Sequence, residues 1–102
     1  MSIRKQYTNN GTVCRVTFTF PPQKASTAKT VHVVGEFNNW NTTATPMRRQ
    51  KTGEFTTTID LTPGREYQFR YLINQTNWEN DPNADKYVPT GFTNTDNSVI
   101  IA

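Results

Sequence analysis

The sequence predicts an all-β fold, a β-sandwich of about seven short antiparallel strands. Three observations carry that expectation. Apolar and polar residues alternate along several runs, the period of a strand with one buried face. Proline and glycine turn signals separate these runs at near-regular spacing. No stretch shows the three-to-four spacing of an amphipathic helix. At 102 residues the chain fits one domain, able to bury a core without metal or disulfide help. There is no linker, repeat or low-complexity segment, so residues 1–102 read as a single unit in which 1–11 are loosely ordered.

The first strand spans residues 12–20, where Cys14, Val16, Phe18 and Phe20 share one face, and Pro21-Pro22 stop it because proline cannot donate to a ladder. In VHVV, Val31 and Val33 face one way and His32 and Val34 the other. Thr45-Pro46-Met47-Arg48 follows as a short edge segment. Lys51-Thr52-Gly53 turns the chain into residues 55–61, with Phe55, Thr57, Ile59 and Leu61 on one face. Thr62-Pro63-Gly64 has the proline and glycine of a type II turn. Next comes the clearest strand, residues 66–73, with Tyr67, Phe69, Tyr71 and Ile73 opposite Gln68, Arg70 and Leu72. Residues 86–88 and 98–101 complete the set. The inward faces supply Phe18, Phe20, Phe55, Tyr67, Phe69 and Tyr71, enough aromatic area to fill the space between two sheets.

The single cysteine, Cys14, has no internal partner and belongs to the core as a small apolar residue. MSIRKQYTNN lacks an apolar signal region, and no run approaches the roughly 20 apolar residues of a membrane span. A cytoplasmic protein without a membrane partner is expected. The net charge of +3 is mild and the basic residues are scattered, so nucleic acid is not an expected partner. The stronger bias is neutral, 18 Thr and 11 Asn, which suit strands and turns and leave a surface that favours an uncharged polar ligand.

No constellation supports catalysis, so the chain reads as a non-enzyme. The serines sit in no nucleophile-elbow context. His32, the only histidine, reads as an exposed strand residue without companion ligands. Asp81 and Asp85 in DPNAD lack the glycine and closing glutamate of a calcium loop, and Asp-Pro is a common turn opener. No Gly-rich phosphate loop is present. Neither a metal nor another cofactor is expected.

What remains is aromatic residues in polar loops: Trp40 in NNWNTT, Trp78 in NQTNWENDP and Phe92 in PTGFTNTDN. Flat rings beside amide side chains suit a sugar, whose C–H face meets the ring while its hydroxyls meet the amides. Removing ~60–80 Å² from water against one sugar face yields about 1.5–2 kcal/mol. Two such contacts and a few hydrogen bonds imply a Kd between about 10 μM and 1 mM, a weakness suited to a polymer with many copies of its repeat.

The segments VHVVGEFNNWNTTATPM, GEFTTTIDLTPGREYQFRYLI, NWENDPNADKYVP and DNSVIIA together resemble carbohydrate-binding module family 48. That family includes the glycogen-binding domain of the AMP-activated protein kinase β subunit and modules ahead of the barrel in isoamylases and branching enzymes. The likeness runs from about Val31 to the end of the chain, and weakly from Thr12. It implies an immunoglobulin-like (early-set) sandwich that binds α-1,4-glucan or maltodextrin and does no chemistry, with a glycogen-metabolising enzyme as a second expected partner. By position it implies that Trp40 and Trp78 stack on glucose units. It further implies that Arg70 and Asn97 hydrogen-bond them and that Phe92 packs into the glucan. Three departures stand out: the 74–78 turn and the 92–97 segment each carry one extra residue, and Arg70 replaces a lysine. The alternative expectation is a protein-interaction or scaffolding module of the same fold that has lost glucan binding.

Overall fold

The computed structural model describes residues 2–24, 27–91 and 95–102. Their strands are β1 (Ser2–Thr8), β2 (Val13–Phe20), β3 (Val31–Gly35), β4 (Arg48–Arg49), β5 (Phe55–Leu61), β6 (Glu66–Ile73), β7 (Asn77–Glu79), β8 (Lys86–Pro89) and β9 (Asp96–Ile101). One sheet has the order β1-β2-β5-β4; the other runs β3-β6-β9-β8, with β7 also paired to β6. All pairings are antiparallel. This is the all-β, immunoglobulin-like sandwich expected from the sequence.

The described residues form nine strands, two more than about seven. Ser2–Thr8, expected to be loosely ordered, is β1, in register with β2 from Ser2↔Thr19 to Thr8↔Val13. Its apolar signal is thin because Lys5 alternates with Ile3 and Tyr7 on the inward-facing side. The turn into β2 uses Asn9 and Asn10 at φ 54° and 56°, a left-handed conformation that asparagine tolerates. β4 and β7, at two and three residues, are too short for periodicity to register.

The core forms where the inward faces meet. Phe18, Phe20, Phe69 and Tyr71 are fully buried among Cys14, Val16, Val31, Val33 and Ile100. Phe18 meets Phe69 edge-on at 5.1 Å between centroids, and Tyr71 stands edge-on to Phe20 at 5.6 Å and to Phe69 at 5.8 Å. Such pairs add about 0.5–1.5 kcal/mol each beyond the area they bury. The chain crosses from one sheet to the other between β3 and β5. Val33 N–H donates to Thr45 O (3.1 Å) and Met47 N–H to Val31 O (2.7 Å), and from the next residue, Arg48, β4 pairs with β5.

The alternation of β6 positions everything that follows. Its inward set is Tyr67, Phe69, Tyr71 and Ile73, so Gln68, Arg70 and Leu72 face away from the core. β3 ends against this strand at Gly35, opposite Phe69. A Cβ at Gly35 would lie 2.4 Å from Gln68 O and 2.7 Å from Phe69 Cβ. The close approach is backbone against backbone and has no flexible group to yield.

Lys5 Nζ on β1 ties the first sheet to the second through Asp85 Oδ2 at 2.8 Å, and Ile101 N–H donates to the same oxygen at 2.7 Å. Burial by itself would raise the Asp85 pKa, but the Lys5 hydrogen bond, the Ile101 N–H and the Lys5 charge outweigh it, and the pKa falls below its ordinary value. The stability from this group is therefore present above the unfolded carboxylate range, near 3.8, and lost as pH falls through the lower folded value. In urea titrations at stepped pH, Asp85→Asn is expected to flatten the acid limb below about pH 4. At pH 7 the cost should stay under about 1 kcal/mol, because the pair is partly exposed and screened. Gly35→Ala is expected to destabilise by about 1–3 kcal/mol through overpacking, read as a lower urea midpoint with an unchanged slope.

Candidate functional site

After β3, residues Glu36–Asn38 make a single 3₁₀ turn that is anchored on several sides. Glu36 Oε1 accepts the Gln68 N–H at 2.7 Å. Asn38 Oδ1 accepts the Gly35 N–H at 3.1 Å, and its Nδ2 donates to Val33 O and Thr45 Oγ1, both at 3.0 Å. Phe37 packs inward, its ring centroid 5.9 Å from Phe18, 6.3 Å from Tyr67 and 6.5 Å from Phe69. The chain then reverses through Asn39 and Trp40 at φ 57° and 56°, with Trp40 N–H donating to Gly35 O at 2.8 Å. Phe37 spends the inward direction, and Trp40 is left 37% exposed. Holding a tryptophan in the left-handed region costs about 1 kcal/mol or more.

Trp78 comes from the β6–β7 hairpin. Asn74 and Gln75 sit at φ 54° and 60°, and Thr76 N–H donates to Ile73 O at 3.0 Å, a type I′ turn whose twist matches the strands. Across this hairpin Trp78 stands opposite Leu72. It therefore lies on the outward face with Gln68 and Arg70, and it is 44% exposed.

These elements enclose an open cleft of about 430 Å³ lined by Trp40, Gln68, Arg70, Trp78, Thr90, Thr95 and Asn97. Four of the residues singled out from the sequence, Trp40, Arg70, Trp78 and Asn97, thus share one cleft; the fifth, Phe92, lies outside the described residues. The sequence reading missed Gln68, Thr90 and Thr95. The alternation of β6 already put Gln68 beside Arg70, and the two threonines flank the GFTN loop. Val34, Leu72 and Val99 are buried yet stand apart from the core cluster. They pair with Arg70, Trp78 and Gln68, so the outward face between the polar groups is apolar.

Among the described residues the cleft lining carries one cation and no acid. Arg70 Nη2 donates to Asp96 O at 2.8 Å, while its Nε is buried without an acceptor among the described residues. Asn97 and Gln68 hydrogen-bond amide to amide at 2.9 Å. In either amide orientation one of the pair keeps an N–H group and the other a carbonyl lone pair, a donor and an acceptor side by side. Such a pair matches a hydroxyl, which both gives and takes a hydrogen bond.

Behind the cleft a polar network joins the Trp78 loop to the core. Asp81 is fully buried. Its Oδ2 accepts from Tyr71 OH at 2.7 Å, its Oδ1 from Asn83 N–H at 2.8 Å, and its carbonyl from Tyr87 OH. Asp81 N–H donates to Ser98 Oγ at 2.9 Å, and Ser98 Oγ donates to Asn80 Oδ1 at 2.8 Å. Asn80 Nδ2 reaches Asp96 O at 2.8 Å, the same carbonyl that holds Arg70. Burial pushes the Tyr71 phenol well up, and the Asp81 carboxylate pushes it further, so Tyr71 keeps its proton and donates. Among the described residues no group of three or more His, Cys, Asp or Glu side chains is arranged to hold a metal.

Fold and cleft define a class: a β-sandwich that presents aromatic and amide groups on one sheet face. Residues 15–101 match the family described as the glycogen recognition site of AMP-activated protein kinase, a span that includes the whole cleft lining. The chain belongs to this family of carbohydrate-binding domains, which recognises glycogen and is a non-catalytic one. A search of curated proteins gave no match to the chain.

Tyr71→Phe would remove the donor to Asp81 Oδ2 while keeping the ring in the core. The expected cost is about 1.5–3 kcal/mol, the value of a hydrogen bond to a buried charge, measured as the shift in ΔG of unfolding from urea titration.

Proposed function

We propose that this domain binds α-1,4-glucan, as glycogen or maltodextrin, by stacking glucose units on Trp40 and Trp78. One observation carries the reading: both indoles line the same open cleft, with neutral amides and threonines beside them and no carboxylate among the described lining residues. A glucose ring offers an indole its C–H face and turns its hydroxyls outward, so ring and amides are satisfied together. Each stacked indole contributes about 1.5–2 kcal/mol from area removed from water. The Asn97–Gln68 pair supplies a donor and an acceptor for a hydroxyl. Arg70 adds a guanidinium edge, a planar fork in place of a point charge, and the family likeness adds Phe92 as a residue that packs into the glucan. The domain acts by binding alone. A cytoplasmic setting belongs to the same proposal, in keeping with the single, buried, unbridged Cys14.

Titration with maltoheptaose is expected to shift tryptophan fluorescence with a Kd between about 10 μM and 1 mM. Trp40→Ala should abolish co-sedimentation with glycogen while changing unfolding free energy by no more than about 0.5 kcal/mol, as for an exposed side chain. Wild-type protein that gives neither a fluorescence nor an NMR change in millimolar maltodextrin would refute the reading.

A further inference from the structure

Trp40 and Trp78 reach the cleft from two separate loops, and a polymer lying across both needs those loops at a fixed separation. The segment 41–44 that follows Trp40 is exposed, and its own bonds are local: Asn41 Oδ1 accepts from Thr43 N–H at 2.9 Å and from Thr43 Oγ1 at 3.0 Å. One side chain outside that loop reaches it among the described residues. Gln75 Nε2, from the hairpin turn that presents Trp78, donates to Thr42 O at 2.9 Å and lies 3.2 Å from His32 Nδ1. A carbonyl only accepts, so the amide nitrogen must face Thr42. The second N–H then meets the imidazole, with Nδ1 accepting and the proton on Nε2. His32, expected from the sequence to be simply exposed, is half-buried and engaged in this contact.

The backbone under Gln75 makes its presence informative. At φ 60° the second position of a type I′ turn is where glycine fits best, and Asn-Gly is the favoured pair. This chain carries Asn74-Gln75 instead, against the local preference, and the side chain gained is the one that joins the loops.

We propose that Gln75 is a positioning residue, a strap that sets the Trp40 loop against the Trp78 hairpin so that both indoles meet one chain at once. The proposal rests on the glucan reading for its use, but the strap itself is testable in the free protein. Gln75→Gly removes the strap and relieves the backbone; Gln75→Glu keeps side-chain length and strain but cannot donate to Thr42 O. Both variants are expected to weaken maltoheptaose binding about three- to tenfold, the worth of one net hydrogen bond. Maltose, two glucose units that can stack on a single indole, should keep its affinity within about twofold on that account. The Gln75→Gly variant should unfold at a midpoint no lower than wild type, and in both variants 15N relaxation should report a more mobile Trp40 indole N–H. Unchanged Trp40 order, or equal losses for maltose and maltoheptaose, would overturn the strap. Wild-type protein that binds neither sugar would sink the glucan reading instead, and the relaxation result would then decide the strap by itself.

Discussion

The period-two alternation of β6 is the constraint on which the domain depends. One strand supplies the largest aromatic share of the core, through Tyr67, Phe69 and Tyr71, and on its other face Gln68 and Arg70 of the cleft. Core and cleft cannot be set independently, because a slip of one residue would send Gln68 and Arg70 into the interior and Phe69 and Tyr71 into water. The hydrophobic gain from burying these rings fixes the register. The register in turn places the polar groups that meet the ligand.

A second dependence runs through Asp81. A fully buried carboxylate is expensive unless its lone pairs are taken, and here Tyr71, Asn83 and the surrounding Ser98 and Asn80 groups satisfy the site. Because Tyr71 also packs edge-on against Phe20 and Phe69, the loop that follows Trp78 is fastened to the centre of the sandwich. Through Asn80 and Asp96 the same network holds the guanidinium of Arg70. Polar burial of this kind trades some stability for a single arrangement of groups, and the group it holds in the cleft lining is the Arg70 guanidinium.

Outside the Asn9–Asn10 turn, the left-handed non-glycine backbone of the described residues lies on the two loops that carry the tryptophans. Asn39, Trp40, Asn74 and Gln75 are all at positive φ without being glycine. In Asn39 and Asn74 the cost is small, since asparagine visits this region readily. In Trp40 and Gln75 it is larger, and the surrounding contacts must overdetermine the conformation. The Gly35 carbonyl, the three bonds of Asn38 and the inward packing of Phe37 do so for Trp40. Backbone held at Trp40 by these contacts loses little entropy when a sugar settles on it, which matters for a site whose total gain is only a few kcal/mol.

The sequence by itself determined the sandwich, the inward and outward sets of each long strand, and the aromatic residues stranded in polar turns, because alternation and turn chemistry are local properties written every two to four residues. It also carried the family likeness that singled out Trp40, Arg70, Trp78 and Asn97. β1 escaped because an inward lysine broke its apolar pattern, and β4 and β7 because they are shorter than any period. Only the tertiary structure decided which distant side chains meet: Gln68 with Asn97, Asp81 with Tyr71, Gln75 with Thr42. Asp81 reads from the sequence as an ordinary Asp-Pro turn opener, and Gln75 as an ordinary turn residue. Their roles come from partners tens of residues away or on another strand, brought into reach by the register of the sheets and the depth at which the core buries them.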